Sequence, residues 1–321
     1  MPWLIGIDEA GYGPNLGPLV MTSVACRLPA ALVDVSLWQV LRPAVRRARS
    51  RAGERLLIED SKLVYSAVRG LAELERGVLA TVLSTLLLEP CCVGRSVEFL
   101  CPHAQAELAA ECWYTGTSTL PATADLDDCQ RAAERFRRAS TAKEIVWATV
   151  RSEVVCPPRF NALLDHWDSK AAVLGEALAS LLRHHLATHG DAEPVTFLID
   201  KHGGRNTYAA LLQHALPETM VQAEEEGANR SLYRIHGLGR EVRVLFTPRA
   251  DAAHFGVALA SMVSKYLREV LMHEFNVFWQ THVPGLRPTA GYPGDAARFF
   301  EEIRPALVRL GLEPSALWRR R

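Results

Sequence analysis

The start of the chain constrains its fold more than any other segment. An apolar run over residues 3–7 predicts a buried strand, and it ends directly in two carboxylates, Asp8 and Glu9. Gly11 and Gly13 follow, so the backbone there is able to approach a ligand such as a phosphate. Two acids at the end of a core strand are costly to bury unless a cation meets them. The pattern indicates a Mg²⁺ or Mn²⁺ site beside a phosphate-bearing substrate, with a surface turn after an edge strand as the alternative.

Composition and charge set outer limits on the class of protein. The 321 residues are 49% hydrophobic and 22% charged, which is typical of a soluble globular protein with a substantial core. Lysine plus arginine and aspartate plus glutamate both total 36, and a net charge of zero neither requires nor excludes a nucleic-acid partner. We find no basic leader and no apolar run of membrane-spanning length, and the seven cysteines fit reduced thiols. We therefore expect a cytoplasmic protein without membrane association, whose oligomeric state the sequence leaves open.

Periodicity along the chain predicts strands and helices in an order that favours a mixed sheet flanked by helices. Core strands are predicted over 3–7, 19–28, 144–155, 195–199 and 242–246. Helices are predicted over 36–51, 66–88, 170–185, 205–216 and 252–275. The first of these helices has a basic end, and the acidic run 224–227 is interpreted as a solvated loop.

Changes in composition divide the chain into segments. Residues 89–142 hold five of the seven cysteines and a run of small polar residues, and we interpret them as an inserted lobe. The core is then discontinuous, over 1–88 and 143–275, with residues 276–321 as a C-terminal helical extension. The last residues, 318–321, are one tryptophan and three arginines, which either contact nucleic acid or form a solvated terminus.

Two further acids stand at the ends of predicted elements. Asp200 follows the strand over 195–199, and Asp251 lies near the start of the longest helix, where an N-cap is the alternative role. Ligands of mixed α/β sheets bind outside strand ends, so these acids are expected near Asp8 and Glu9. Because neighbouring strand residues face opposite ways, Asp8 and Glu9 share a site only if the strand breaks there. Four carboxylates fit two metal ions about 4 Å apart, which activate water and stabilise the leaving oxygen in phosphodiester cleavage.

Five elements resemble, in order, the signatures of the type 2 ribonucleases H, the ribonuclease HII and HIII group. They are Ile-Gly-Ile-Asp-Glu-Ala-Gly-Tyr-Gly-Pro over 5–14 with Gly17-Pro18, Asp60-Ser61-Lys62, Phe197-Leu198-Ile199-Asp200, Arg249-Ala250-Asp251 with the helix over 257–265, and Gly291-Tyr292-Pro293. The resemblance implies a ribonuclease H-like α/β fold with a mixed five-stranded sheet. It also implies Mg²⁺- or Mn²⁺-dependent endonucleolytic hydrolysis of the RNA strand in RNA–DNA hybrids, or of ribonucleotide-containing DNA. The metal-binding, catalytic acids that it implies are Asp8, Glu9, Asp200 and Asp251.

The same resemblance implies residues that position the substrate. They are Gly11, Tyr12, Gly13, Lys62, Lys265 and Tyr292. Tyr12 replaces the arginine of the family's Gly-Arg-Gly, so a bidentate phosphate contact is lost, and cleavage at a single embedded ribonucleotide stays open. Tyr12 either stacks on a sugar or base or packs on the sheet edge. Solvation is the alternative role for Lys62 and Lys265, and turn packing is the alternative for Tyr292.

Two other features have structural alternatives. His254 follows Asp251 by one helical turn and either shuttles a proton or serves as a capping or core histidine. Asp168-Ser169-Lys170 repeats the Asp-Ser-Lys triplet but precedes a helix, so we interpret it as an N-cap. The alternatives to a hybrid nuclease are a two-metal nuclease with a different nucleic-acid substrate and a nucleic-acid-binding protein without useful turnover.

Overall fold

The computed structural model describes residues 1–50, 53–66, 68–86, 91–189 and 192–320. Its strands are β1 (Trp3–Ala10), β2 (Leu19–Arg27), β3 (Val45–Arg46), β4 (Leu56–Leu57), β5 (Val146–Val155), β6 (Val195–Asp200), β7 (Met220–Glu226), β8 (Ser231–His236) and β9 (Val242–Thr247). Its α-helices are α1 (Leu37–Val40), α2 (Ser61–Val64), α3 (Ala72–Leu86), α4 (Val93–Leu100), α5 (Gln105–Ala109), α6 (Leu126–Thr141), α7 (Pro157–Trp167), α8 (Lys170–Thr188), α9 (Ala209–Ala215), α10 (Ala250–Ala253), α11 (Phe255–His282) and α12 (Pro293–Leu310). No helix within these ranges has the length and apolarity needed to cross a membrane.

A mixed seven-stranded sheet forms the centre of the fold, in the order β5-β2-β1-β6-β9-β8-β7. Strands β1 and β2 pair antiparallel as a hairpin, with Trp3 opposite Arg27 and Ala10 opposite Val20. Strand β5 is antiparallel to β2, whereas β6 runs parallel to β1 and β9 runs parallel to β6. The predicted mixed sheet with flanking helices is therefore confirmed, and the five predicted strands correspond to β1, β2, β5, β6 and β9.

The sheet has two strands more than the predicted five. Strand β8 pairs antiparallel with β9, and β7 lies outermost. Glu224, Glu225 and Glu226 were expected in a solvated loop, and that prediction is wrong because they end β7. Their side chains are exposed. An outer strand is paired on one side only and tolerates charge along its length, so its sequence lacks the apolar alternation that identifies inner strands.

The predicted helix over 36–51 is also wrong. Only α1 is helical there, and Pro43, which cannot continue a helix, follows it. The chain then forms β3, which pairs in parallel with β4. The helix predicted over 66–88 begins later, at Ala72. The predicted ends at residues 51 and 88 both lie outside the described residues.

Two hydrophobic clusters cover the two faces of the sheet. One contains apolar side chains of α3 and α11, and the other contains those of α8 and α9. Helix α11 crosses β1 so closely that a Cβ on Gly6 would lie 2.2 Å from the carbonyl carbon of Gly256. Glycine at Gly6 therefore sets the distance between the strand and the helix that carry the candidate site.

The segment over 91–142 packs into the same core as the sheet. Phe136 of α6 lies parallel to Phe255 of α11, with ring centroids 6.4 Å apart. The buried Glu75 of α3 accepts hydrogen bonds from the N–H groups of residues 122–124 at 2.7–2.8 Å. In the same way, Glu274 of α11 accepts hydrogen bonds from the N–H groups of residues 115, 116 and 118. The division into core, inserted lobe and C-terminal extension stays a proposal, and its boundary at 88 and 89 lies outside the described residues.

The tail after α12 is anchored to the body of the protein. The N–H of Arg319 donates to the carbonyl of Asn15 (2.7 Å), and the Asn15 side chain donates to the carbonyl of Arg319 (3.1 Å). Asn161 of α7 bonds the backbone of the residues on either side of Arg319. The solvated terminus is therefore wrong for residues 318–320, because distant residues satisfy their backbone groups. Arg321 lies outside the described residues.

Candidate active site

Asp8 and Glu9 lie near the end of β1, at the centre of the sheet. The sequence made a shared site for them conditional on a break in the strand, but no break occurs, since β1 continues to Ala10 with both residues paired to β2. The opening lies on the other side of β1. Pairing between β1 and β6 stops at Ile7 and Ile199, so neither strand is hydrogen-bonded to the other beyond that point.

Contacts from α11 fix the position of Asp8, which is buried. Ser264 donates a hydrogen bond to its backbone carbonyl (3.0 Å), and the side chain of Ser261 hydrogen-bonds its carboxylate. The N–H of Glu9 donates to Oδ1 of Asp8 (2.8 Å). The hydroxyls of Ser261 and Ser61 lie 3.0 Å apart in a further hydrogen bond. Through that bond, α2, which carries the Asp-Ser-Lys element, is held next to the end of β1.

Asp200 and Asp251 are joined through the start of α10. Asp200 ends β6, and its Oδ1 accepts a hydrogen bond from the N–H of Ala250 (2.8 Å). Asp251 lies in the first turn of α10 and accepts a hydrogen bond from the N–H of Ala252 (2.8 Å). Arg249, with a φ of +55°, is the N-cap residue of this helix. The N-cap role considered for Asp251 is therefore wrong.

The four acids predicted from the sequence are electrostatic neighbours. Burial, together with the charges of Glu9 and Asp200, raises the pKa of Asp8 well above its usual range. Burial and the charge of Asp200 raise the pKa of Glu9 to about 7. Burial and the charges of Asp60 and Asp200 raise the pKa of Asp251 to about 6. The structure thus brings the four acids together and adds Asp60, and we refer to these five residues as the acid cluster.

Lys62 faces the acid cluster from α2. Its charge lowers the pKa values of Glu9, Asp200 and Asp251 against the larger effect of burial. Helix α2 begins after Asp60, whose Oδ1 accepts a hydrogen bond from the N–H of Lys62 (2.8 Å) as an N-cap. From the sequence, Asp60 was assigned only to the Asp-Ser-Lys element, and its place beside the other acids was missed.

Two other predicted residues make polar contacts of their own. The ammonium of Lys265 pairs with Glu269 (2.6 Å) and lies 4.7 Å from the ring centroid of Tyr65. His254 occupies the N-cap position of α11 without a side-chain cap hydrogen bond, and it lines a separate groove beside Asp34. Among the described residues, the polar contacts of Lys265 and of His254 include no member of the acid cluster.

The acid cluster has the donor chemistry of a site for a hard divalent cation. Its carboxylates raise one another's pKa values, so their negative charge is under-compensated by the protein alone. Among the described residues, no group of three Asp, Glu, His or Cys side chains is yet arranged to hold a metal ion. The fit to Mg²⁺ or Mn²⁺ rests on the oxygen donors of these residue types.

One buried arginine holds the glycine loop that follows β1. Gly11 has a φ of +88°, and a Cβ there would lie 2.6 Å from Nε of Arg268. Arg268 is 1% exposed and donates hydrogen bonds to the carbonyls of Leu16 (3.2 Å), Pro18 (3.3 Å) and Ala290 (2.9 Å). The glycine loop and the segment that precedes α12 are thereby joined through a single side chain.

Gly13 and Tyr292 face each other across the same loop. A Cβ on Gly13 would lie 3.8 Å from Cε1 of Tyr292, whose side chain is half exposed. The N–H groups of Asn15 and Leu16 donate to the carbonyl of Gly291 at 2.8 and 3.2 Å. Two predicted substrate-positioning residues, far apart in the sequence, therefore form one exposed surface.

Tyr12 has a cation against its ring that the sequence reasoning missed. The ammonium of Lys170 lies 4.8 Å from the ring centroid of Tyr12. Burial and the charge of Glu9 raise the pKa of Tyr12, whereas the charge of Arg205 lowers it. The N-cap interpretation of residues 168–170 hid this contact. Ser169 is indeed the N-cap residue of α8, but it makes no side-chain cap hydrogen bond.

Comparisons with known proteins return members of one enzyme group. No family model matches the chain. Over 73 residues the chain is 34% identical to the ribonuclease HII of Gluconobacter oxydans (strain 621H), and the match covers 23% of this chain and 35% of that relative. The chain therefore matches about a third of the length of that curated relative.

Three solved structures are similar at low sequence identity. The RNase HII of Archaeoglobus fulgidus, solved in complex with PCNA, is 15% identical with a TM-score of 0.45, over 99% of this chain and 94% of that one. The ribonuclease H2 of Pyrococcus horikoshii OT3 is 15% identical with a TM-score of 0.43, over 98% and 92%. Bst-RNase HIII, solved in complex with Mn²⁺, is 14% identical with a TM-score of 0.45, over 99% and 66%.

Proposed function

We propose that this chain, a divergent member of the type 2 ribonuclease H family, is a metal-dependent endoribonuclease that cuts the RNA strand of RNA–DNA hybrids. The observation that carries the proposal is the acid cluster, which gathers carboxylates from β1, β6, α10 and the N-cap of α2. Lys62 beside the cluster and the Gly13–Tyr292 surface support a phosphate- and sugar-bearing substrate. The same donor set without these two features would fit any site for a divalent cation.

Asp8, Glu9, Asp200 and Asp251 are the residues that would hold Mg²⁺ or Mn²⁺. When bound, two such ions supply a water of lowered pKa and stabilise negative charge on the leaving oxygen. The chain's own task is to keep the carboxylates deprotonated and close together at neutral pH. The charge of Lys62 contributes to it by lowering the pKa values of Glu9, Asp200 and Asp251.

The glycine loop and Tyr292 position the ribose in this proposal. Backbone donors of Gly11 and Gly13 would contact the 2′-hydroxyl, which distinguishes RNA from DNA at a given position. Tyr292 offers an exposed ring for stacking on a sugar. Lys62 would contact a phosphate, and Lys265 would do so only by leaving its ion pair with Glu269.

The surroundings of Tyr12 bear on whether a single embedded ribonucleotide is also a substrate. The family arginine is replaced by Tyr12, but Lys170 places an ammonium over its ring, so positive charge is still present beside the loop. Lys170 differs from arginine in that it provides a point charge without bidentate geometry. A duplex with a single embedded ribonucleotide therefore tests a different part of the proposal than a continuous hybrid does.

Cleavage of three labelled duplexes with Mg²⁺ or Mn²⁺ tests the proposal. They are a continuous RNA–DNA hybrid, DNA with one ribonucleotide, and plain DNA. We expect cleavage only where RNA is present, and loss of that cleavage in Asp8→Asn and in Asp200→Asn. Asp127→Asn is the matched control, because Asp127 is exposed on α6 and belongs to no part of the acid cluster.

The outcomes separate the alternatives. Cleavage of plain DNA at the same rate would replace the hybrid nuclease with a nuclease of different substrate. Mobility shift of the hybrid without cleavage, and without dependence on Mg²⁺, would indicate a binding protein. No cleavage and no binding by a folded protein would contradict the proposed function as a whole.

A further inference from the structure

An open groove of about 1070 Å³ lies beside the acid cluster and is rich in positive charge. The arginines that line it are Arg42, Arg46, Arg47, Arg49, Arg55 and Arg249. Its acidic lining residues are Glu59 and Asp60. Because the whole chain has a net charge of zero, this is a local concentration of cations. We refer to this feature as the arginine groove.

The base of the arginine groove is an ordered structure. Nε of Arg47 donates to both carboxylate oxygens of Glu59, at 3.0 and 2.9 Å, and its guanidinium lies 4.5 Å from the ring centroid of Trp38. Trp38 is itself fixed, since its indole N–H donates to the carbonyl of Ile58 (2.8 Å). The N–H of Ala48 adds a further hydrogen bond to Glu59 (3.2 Å). The carboxylate of Glu59 is therefore occupied by Arg47 and by the backbone at the base of the groove. It does not neutralise the arginines of the walls.

The walls of the arginine groove hold cations that face solvent. Arg42, Arg49 and Arg249 are exposed, and none of them forms an ion pair with a carboxylate in the part of the chain that the structure describes. Exposed guanidinium groups of this kind match the phosphodiester backbone, because each can donate two parallel hydrogen bonds to one phosphate. A ligand that carries closely spaced negative charges fits this lining better than a neutral one.

The arginine groove reaches the acid cluster. Nη2 of Arg47 donates to the carbonyl of Ala252 (3.1 Å), the residue that follows Asp251. Asp60 lines the groove and is also a member of the acid cluster. A polyanion that lies in the groove therefore arrives directly at the carboxylates. Without such a groove, five neighbouring acids would repel the phosphates that they have to meet.

We propose that the arginine groove binds the phosphodiester backbone of the nucleic-acid substrate where it approaches the acid cluster. The ligand is taken from the proposed function, so the inference deepens it and rests on it. Arg42, Arg49 and Arg249 contact phosphates, and Arg47 orders the groove between Glu59 and Trp38. The contacts are to the backbone, so they add affinity for any duplex and carry no sequence preference.

The test compares two double variants that remove the same charge at different places. Arg42→Gln/Arg49→Gln removes two of the three exposed wall arginines, and Arg183→Gln/Arg304→Gln removes two exposed arginines from α8 and α12. Both are made in the Asp8→Asn background, and binding of a fluorescein-labelled RNA–DNA hybrid is followed by anisotropy over a salt series. We expect the groove variant to bind about 10- to 100-fold more weakly at low salt, with the slope of log Kd against log salt reduced by about 2. The control pair keeps the slope of the parent.

Cleavage by the same pairs with Asp8 intact separates this inference from the proposed function. The groove variant should show a raised KM with an unchanged kcat. If wild type cuts the hybrid and the groove variant has the same KM and salt slope, the groove assignment is wrong and the proposed function stands. If wild type cuts nothing, the proposed function fails, while the salt slope still decides the groove. Equally tight, groove-dependent binding of poly-glutamate would overturn the inference in favour of an acidic protein segment.

Discussion

Two regions of this protein bury like charges side by side, and they treat them in opposite ways. In the acid cluster, burial and the neighbouring carboxylates raise the pKa values of Asp8, Glu9 and Asp251. Behind the glycine loop, Arg268 and Arg319 are each 1% exposed, and burial with the charge of Arg268 lowers the pKa of Arg319 to about 9. These two arginines donate to backbone carbonyls of the loop and of its neighbours.

The difference separates a candidate binding site, the acid cluster, from a structural support, the pair Arg268 and Arg319, which we call the brace. Backbone carbonyls are fixed by folding, so Arg268 and Arg319 have acceptors as soon as the chain is folded, and their hydrogen bonds keep the glycine loop in place although burial lowers the pKa of both side chains. The acids accept hydrogen bonds from backbone N–H groups and from Ser261, but burial still raises the pKa values of Asp8, Glu9, Asp200 and Asp251, and in the proposed function a divalent cation compensates their charge. We therefore expect changes in the acid cluster to act on activity, and changes in the arginine pair to act on stability.

The largest effect is expected for Asp200→Asn. The amide keeps an acceptor for the N–H of Ala250 but removes a metal ligand, so kcat should fall by about 10³-fold. Removing one of several repelling charges should at the same time raise the free energy of unfolding of the metal-free protein by about 1 kcal/mol. Turnover and urea unfolding measure the two effects, with Asp127→Asn as the control. A variant that is both active and less stable would contradict the separation.

Arg268→Met should produce the reverse pattern. Methionine fills part of the space but leaves the carbonyls of Leu16, Pro18 and Ala290 without their donor, so the free energy of unfolding should fall by about 3 kcal/mol. Arg268→Lys should recover part of this loss, and Arg309→Met on the exposed side of α12 should change little. Urea unfolding gives the values. An unchanged midpoint of urea unfolding for Arg268→Met would contradict the structural role assigned to Arg268.

The stabilisation by Mg²⁺ or Mn²⁺ should depend on pH. The folded-state pKa values of Glu9 and Asp251 are about 7 and about 6, and both lie above the unfolded values. These two groups therefore bind more protons in the folded protein than in the unfolded protein. Their contribution to the free energy of unfolding falls as the pH rises through 6–7. A divalent ion needs the deprotonated form and reverses this loss. At a metal concentration of about 100 times its Kd, the gain at pH 8 should be about 2.7 kcal/mol, and at pH 5.5 it should be much smaller. Thermal unfolding with metal and with chelator measures it, and an equal gain at both pH values would argue against the acids as ligands.

The smallest effect is expected for Lys170→Gln. If the ammonium over the Tyr12 ring contributes charge to the substrate, KM should rise about 3- to 5-fold with kcat unchanged. Lys143→Gln, at an exposed position outside the loop, is the matched control. Steady-state cleavage of the hybrid gives both constants. A lower free energy of unfolding without a change in KM would assign Lys170 a structural role instead.

The predictability of each region follows from the range of its interactions. The acids were found from the sequence because each stands next to a local signal, an apolar strand or a helix start, and strand ends collect ligands. Asp60 was missed because it follows no core strand and was assigned only to the Asp-Ser-Lys element. The brace was beyond reach, since Arg268 and Arg319 read as ordinary surface cations until the carbonyls that surround them are known. The arginine groove was missed because Arg46, Arg47 and Arg49 were interpreted as the basic end of a helix that Pro43 prevents.

The clasp between Asn15 and Arg319 also sets an order of assembly. The two residues are 304 positions apart, and a ribosome adds roughly 5–20 residues per second, so the glycine loop waits about 15 to 60 s for its partner during synthesis. All members of the acid cluster emerge before that partner does. Every member of the acid cluster is therefore synthesised before the residue that holds the glycine loop in place.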